Sequence, residues 1–267
     1  MKRPAKHRRG QFIVAAAMFI ALIILSMSLL IYSAGSRYQT LEKEPVREIV
    51  QTITDDFKRM LTIALADYSE YPDDTAFNRA VSGWADKTIY CYSGMGLQLM
   101  ISEVNVYKED FENSSETEAS ATLKIDIASL GFYGYEYPLQ IKLNVTLDEV
   151  KYATDKKNGK ITSLNITVKA FKEKDLPVSD LKITTLNVIV YNNSGAPEDI
   201  NVNIAKYMDV VYVSGSGIYI ITLKQNQEIN PTNPNFGAIR DLKVYLEFED
   251  GRGLRGYVWK EGEVIKV

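Results

Sequence analysis

From Phe12 to Ala34 the chain runs for 23 residues without a charged side chain, FIVAAAMFIALIILSMSLLIYSA. At about 1.5 Å of rise per residue, a helix of this length covers the roughly 30 Å hydrocarbon core of a bilayer, so the run reads as a transmembrane helix. Lys2, Arg3, Lys6, Arg8 and Arg9 precede it with no acid among them, and only Arg37 follows it closely. That asymmetry places the N-terminus in the cytoplasm and residues 37–267 outside, in a cell membrane crossed once. A removable secretory signal is the competing reading. Its apolar region spans about 7–15 residues and ends in small side chains, whereas Tyr32 would hold the outer recognition position for a cut after Ala34.

The sequence His7-Arg8-Arg9-Gly10-Gln11-Phe12 sets two arginines and a glycine directly against the apolar run. This resembles the class III, prepilin-type signal of archaeal type IV pilins, and the resemblance extends over about residues 7–34. It implies processing by a prepilin-type peptidase between Gly10 and Gln11, with Arg8 and Arg9 read by the enzyme. The helix then remains on the mature chain to pack with other pilin or envelope subunits. Family members often carry a glutamate at the fifth mature position, where this chain has Ala15, a departure that counts against filament assembly. A plain, uncleaved signal anchor shows the same basic block and stays open beside it.

The five basic residues at 1–10 sit in a chain of net charge −3, so the remainder carries −8, which argues against nucleic acid as a partner. There is one cysteine, Cys91, and one histidine, His7, the latter in the basic leader. An intramolecular disulfide, a Cys/His metal site and a Ser–His or Cys–His catalytic pair are thereby excluded from the exterior. No Gly-x-Ser-x-Gly elbow occurs, and the reading is of a protein that is not an enzyme and takes no cofactor.

Beyond the span, Pro45 suits the first turn of a helix whose apolar residues recur at three- and four-residue steps: Val46, Val50, Ile53, Phe57, Leu61, Leu65 and Tyr68. Tyr71-Pro72-Asp73-Asp74 breaks it, and either aspartate would cap a second helix near Thr75 carrying Phe77, Val81, Trp84, Thr88, Cys91 and Met95 on one face. On that stripe Cys91 reads as a buried small hydrophobe. Strand patterns then follow: Ile101–Tyr107, an acidic loop from Lys108 to Glu118, Ala121–Ile127, and the stretches from Gly131 to Leu147. After a turn at Asn158-Gly159, about seven short strands fill the rest, punctuated by Asn193-Ser194-Gly195, Ser214-Gly215-Ser216-Gly217 and Asp250-Gly251.

The fold class is therefore α+β: an N-terminal transmembrane helix, a helical hairpin with an antiparallel β-sheet, then a C-terminal β-sandwich of Ig-like architecture. The domain reading is 1–10 basic leader, 11–36 transmembrane helix, 37–155 helical stalk plus β-sheet domain, and 160–267 β-sandwich domain.

Four Asn-x-Ser/Thr sequons mark candidate glycosylation sites. Asn113 and Asn192 fall in polar loops, Asn144 and Asn165 in strand patterns. In Phe132-Tyr133-Gly134-Tyr135-Glu136-Tyr137, strict alternation puts Tyr133, Tyr135 and Tyr137 on one face, a candidate partner surface or one side of a half-buried sheet. Arg252 and Arg255 read as solvated beside a tight Asp-Gly turn. Together these features describe a pilin-like surface protein with a structural or adhesive role. The alternative is a membrane-tethered extracytoplasmic glycan-binding module or an accessory subunit of an enzyme.

Overall fold

The computed structural model describes residues 8–155, 159–233 and 236–265, with side chains described for 17–31 and from Val46 onward. Two compact units divide the chain, 1–53 and 54–267.

In the first unit the described backbone belongs to α1 (Arg8–Glu70), which continues into the second unit. The polar stretch expected to separate two helices at 35–44 is itself helical, and Pro45 lies within the helix rather than at its first turn. Arg37, Gln39, Leu41, Glu42, Lys43 and Glu44 are good helix formers, so this stretch offers little local reason to stop. Among the described residues no helix is long and apolar enough to cross a membrane. Of the apolar run, side chains are described for 17–31, a piece shorter than the roughly 20 residues a span requires. Every one of them is exposed.

In the second unit α1 turns back on α2 (Asp74–Cys91) as an antiparallel hairpin. Phe57 meets Trp84 at 5.0 Å and Tyr68 meets Phe77 at 6.0 Å between ring centroids, and the Trp84 indole donates to Asp56 at 2.7 Å. Asp73 is the N-cap: its Oδ1 accepts from the backbone N–H groups of Thr75 and Ala76, as the sequence implies. Phe77, Val81 and Thr88 are buried, but Cys91 is exposed and so is Met95. The stripe ends one turn early because α2 stops at Cys91 and the chain leaves through a short 3-10 turn (Ser93–Met95).

Twelve strands follow among the described residues, in two mainly antiparallel sheets that face each other as a sandwich. The larger has the order β1 (Leu97–Phe111), β2 (Ser114–Ile127), β3 (Phe132–Asp155), β4 (Lys160–Lys172), β9 (Ile218–Leu223), β8 (Met208–Val213). Two-residue strands β5 (Leu176–Pro177) and β12 (Glu263–Val264) attach to β4 and β3. The smaller sheet has the order β11 (Arg255–Glu261), β10 (Ile239–Glu249), β6 (Lys182–Asn192), β7 (Pro197–Asn201). A one-turn helix, α3 (Ile204–Tyr207), precedes β8.

Strand alternation builds the core. In β2 every second residue from Ser115 to Ile127 is buried, and in β3 Ile141, Leu143, Val145 and Leu147 repeat the pattern. Leu186, Val188, Val190, Leu242, Val244, Leu246, Phe248 and Val258 supply the opposing face. β11 packs against β2 and β3, and α2 against β1.

Two expectations need correction here. The boundary between 37–155 and 160–267 does not separate sheets, because β3 pairs with β4 from Leu143↔Lys172 to Asp155↔Lys160 and 54–267 is one compact unit. Nor is 108–118 a loop: β1 runs through Phe111 and pairs with β2 up to Phe111↔Ser114. Its polar residues fit a strand because a bulge at Glu103, with φ 55°, shifts the phase of β1. Lys108 and Asp110 then stand opposite the buried Thr117 and Ser115, where Ser115 Oγ donates to Asp110 at 2.5 Å and Lys108 Nζ donates to the Ser69 carbonyl at 2.7 Å.

Candidate functional site

The outer face of the large sheet carries a connected polar constellation. Tyr107 on β1, Glu116 and Glu118 on β2, and Gln140, Lys142, Asn144 and Thr146 on β3 lie in neighbouring register positions. Lys142 Nζ donates to Glu116 at 2.7 Å and stands 3.6 Å from Glu118. The Tyr107 hydroxyl donates to Glu116 and, at 3.0 Å, to Glu118. Gln140 donates to Glu118 at 2.8 Å, and Asn144 Nδ2 donates to the other Glu116 oxygen at 3.4 Å. The cluster forms one side of an open groove of about 360 Å³ that Glu109, Phe111 and Ser114 complete.

Electrostatics follow from this pairing. Desolvation works to raise the Glu116 pKa, but hydrogen bonds from Lys142 and Tyr107 outweigh it and hold the carboxyl below its usual range. The Glu116 contact lifts Lys142 above the ordinary ammonium value. Burial, then hydrogen bonding to the two glutamates, pushes the Tyr107 phenol up. Glu116 and Lys142 are thereby held in their charged forms and the Tyr107 phenol in its neutral form. Both oxygens of Glu116 and both of Glu118 are engaged within the cluster.

A second network secures the β10–β11 connection. Asp250 is buried and accepts from the backbone N–H of Arg252 at 2.9 Å and of Leu254 at 3.0 Å, while Arg252 Nε donates to it at 2.7 Å. The Arg252 guanidinium also pairs with Glu173 and donates to the Lys142 carbonyl at 2.8 Å. Arg252 is thus a tie across the sandwich, not the solvated side chain expected. Arg255 is exposed, as expected, and pairs with Glu70 at 2.7 Å and Glu249 at 2.9 Å. The turn is longer than a two-residue hairpin, closing through Asp250 N–H to the Leu254 carbonyl with Gly253 at φ 85°.

The predicted tyrosine row is not a row. Ile125 faces Tyr135 and Ile127 faces Phe132, so Tyr133 and Gly134 oppose Asp126 alone and form a bulge. Tyr133 leaves the row, 65% exposed, whereas Tyr135 and Tyr137 stay on the core-facing side of β3.

Arg8, Arg9, Gly10 and Gln11 lie in the helical backbone of α1, but their side chains are outside the described set, and His7 is outside the described residues altogether. Of the sequons, Asn192 is held by its own turn: Oδ1 accepts from Ser194 N at 3.0 Å, Ser194 Oγ at 2.6 Å and Ala196 N at 2.9 Å, and Nδ2 donates to the Phe236 carbonyl at 3.3 Å. Asn113, with φ 71°, buries its Oδ1 in the β1–β2 turn, and Asn144 belongs to the Glu116 cluster. Asn165 is exposed on β4.

No protein-family model and no characterised protein sequence matches this chain. Among solved structures, MtrC from Shewanella baltica is similar at 16% identity over 47% of this chain and 23% of that one, with a TM-score of 0.29. The C-terminal domain of the Streptococcus pyogenes antigen I/II-family protein AspA is similar at 10% identity, over 57% and 55%, with a TM-score of 0.19. The corresponding domain of the Streptococcus agalactiae AgI/II polypeptide BspA gives 9%, 54% and 58%, with a TM-score of 0.17. The chain spans less than two thirds of each, and likenesses of this size carry no argument about activity or partners.

Proposed function

We propose that this chain is a single-pass protein of the cell envelope, pilin-like at its N-terminus, whose β-rich part serves a structural or adhesive role outside the membrane rather than catalysis. The observation that carries the reading is the surface of α1 between 17 and 31. Met18, Phe19, Ile20, Leu22, Ile23, Ile24, Leu25, Met27, Leu29, Leu30 and Ile31 are each at least 55% exposed. Consecutive helical residues point in all directions around the axis, so this is an apolar cylinder, not an amphipathic face. Covering a side chain of this kind is worth about 1.5–3 kcal/mol, and eleven of them require lipid or neighbouring helices.

Ser26 and Ser28 interrupt the cylinder. Their hydroxyls donate to the Ile23 and Ile24 carbonyls, both at 2.9 Å, the internal satisfaction that an apolar medium demands. The membrane span is 12–34, the basic leader is cytoplasmic, and the processing point is Gly10–Gln11.

Mass spectrometry of the N-terminus from native membranes tests processing, and alkaline carbonate extraction tests insertion. We expect the chain in the carbonate-resistant pellet and a start at Gln11. Release by carbonate would overturn the membrane reading, and retention of residues 2–10 would overturn the pilin-like one.

A further inference from the structure

We propose that the edge strand β8 pairs antiparallel with β8 of a second copy of this chain, centred on Val211, so that the large sheet continues across two molecules. The four terminal strands of the two sheet paths differ in how they resist such pairing. β1 is bulged at Glu103 and carries Lys108, Glu109 and Asp110. β7 begins Pro197-Glu198-Asp199, and β11 carries Arg255, Lys260 and Glu261. Bulges, prolines and charges are the usual protections of an exposed edge. β8, Met208-Asp209-Val210-Val211-Tyr212-Val213, has one charge and neither proline nor bulge against β9. Val211 is 56% exposed, Val213 39% and Ile220, paired with Val211, 38%, an apolar patch on one face of the sheet margin, while Val210, 42% exposed, lies on the other face.

The ladder fixes the register. Lys224 N–H donates to the Tyr207 carbonyl at 2.9 Å, and Tyr207 and Lys224 continue the β8–β9 register beyond Met208↔Leu223. Bonding alternates along an antiparallel pair, so odd-numbered residues of β8 turn their backbone groups to β9 and even-numbered ones turn theirs to the open edge. Met208 N–H is taken by the Ile204 carbonyl, which leaves Val210 and Tyr212. A two-fold axis perpendicular to the sheet through Val211 sets Val210 opposite Tyr212 of the other copy, twice, and supplies partners for all four pairs of groups. A centre on Val210 would instead call on the committed Met208.

Charge selects the same arrangement. Parallel in-register pairing would set Asp209 against Asp209. The antiparallel centre sets it against Val213 and holds the two carboxylates four positions apart, about 13 Å, beyond the roughly 8 Å screening length at physiological salt. Val211 meets Val211 at a close, non-hydrogen-bonded position with Cα atoms about 4.5 Å apart. That separation suits a disulfide.

The test uses the full chain in detergent with Cys91→Ser as background. On mild oxidation Val211→Cys forms a disulfide-linked dimer on a non-reducing gel, whereas Asp209→Cys does not. Val211→Lys, which sets two ammonium groups against each other, removes the link when Val213→Cys and Asp209→Cys copies are mixed, with an unchanged circular dichroism spectrum. Absence of a Val211→Cys link, or equal linking at 209 and 211, would overturn the proposal, as would cross-linking to a different protein in its place.

Discussion

Phe132 and Tyr135, three residues apart on one strand, project from the same face with ring centroids 5.9 Å apart. Alternation alone would put them on opposite faces. The extra residue between them makes the difference, and Gly134, at φ 73° with its N–H held by Asp126 Oδ1 at 2.5 Å, is where the chain absorbs it.

Gly134→Ala should therefore destabilise the protein by about 1–2 kcal/mol through backbone strain alone, because a Cβ there meets nothing within 4 Å. Tyr133→Ala, at an exposed position, should stay within about 0.5 kcal/mol of the parent. Chemical denaturation distinguishes the two. Equal effects would mean that Tyr133 belongs to the packed row after all.

Arg252 joins the buried Asp250 to Glu173 and to the Lys142 carbonyl, so Arg252→Ala removes one partner from a buried carboxylate and two contacts across the sandwich. Asp250 keeps its two backbone donors, which limits the loss to about 2–3 kcal/mol. Arg252→Lys should recover little, since a single ammonium cannot reach three acceptors set around a planar fork. The midpoint of urea unfolding reads both.

The difference between this network and the capped helix hairpin shows what a sequence discloses. Asp73, the break at Pro72 and the apolar repeat of α2 are local, and each is visible within one or two turns of helix. So are the alternating residues of β2 and β3. Arg252 meets its partners 79 and 110 residues away, and no local pattern announces that. The bulges at Glu103 and Gly134 are also hidden, because one inserted residue leaves composition unchanged while reversing which side chains face the core. The sheet outer face is a middle case: Glu116 and Glu118 look like part of a polar loop in sequence, Tyr107 and Lys142 fall in strand patterns, and only cross-strand pairing brings them together.

That pairing makes stability pH-dependent at both ends. Glu116 is depressed in the folded state, so its contribution is present above the unfolded carboxylate value, about 4.3, and is lost as pH falls through the folded value. Lys142 and Tyr107 are raised, so theirs are present below about pH 10 and are lost as pH rises through the folded values. Glu116→Gln should lower the thermal midpoint at pH 7, with the gap closing as pH falls through the depressed folded value of the carboxyl. A gap that is constant from pH 7 to pH 3 would show that the carboxylate charge contributes nothing.

Asn192 and Asn165 share the Asn-x-Ser/Thr signal but not the geometry a glycan needs. Attachment occurs at Nδ2, which in Asn192 donates to the Phe236 carbonyl while Oδ1 organises the turn to Ala196. Asn192→Ala should cost about 1–2 kcal/mol for the turn bonds it removes, whereas Asn165→Ala on the exposed face of β4 should be near neutral. In a glycosylating host, the expected glycopeptide carries Asn165 and the unmodified peptide carries Asn192. Because acceptor transfer can precede folding, the decisive comparison is of folded, membrane-extracted material by mass spectrometry. Occupancy at Asn192 in folded protein of full stability would show that the Phe236 contact is dispensable, and the order of the two sites would reverse.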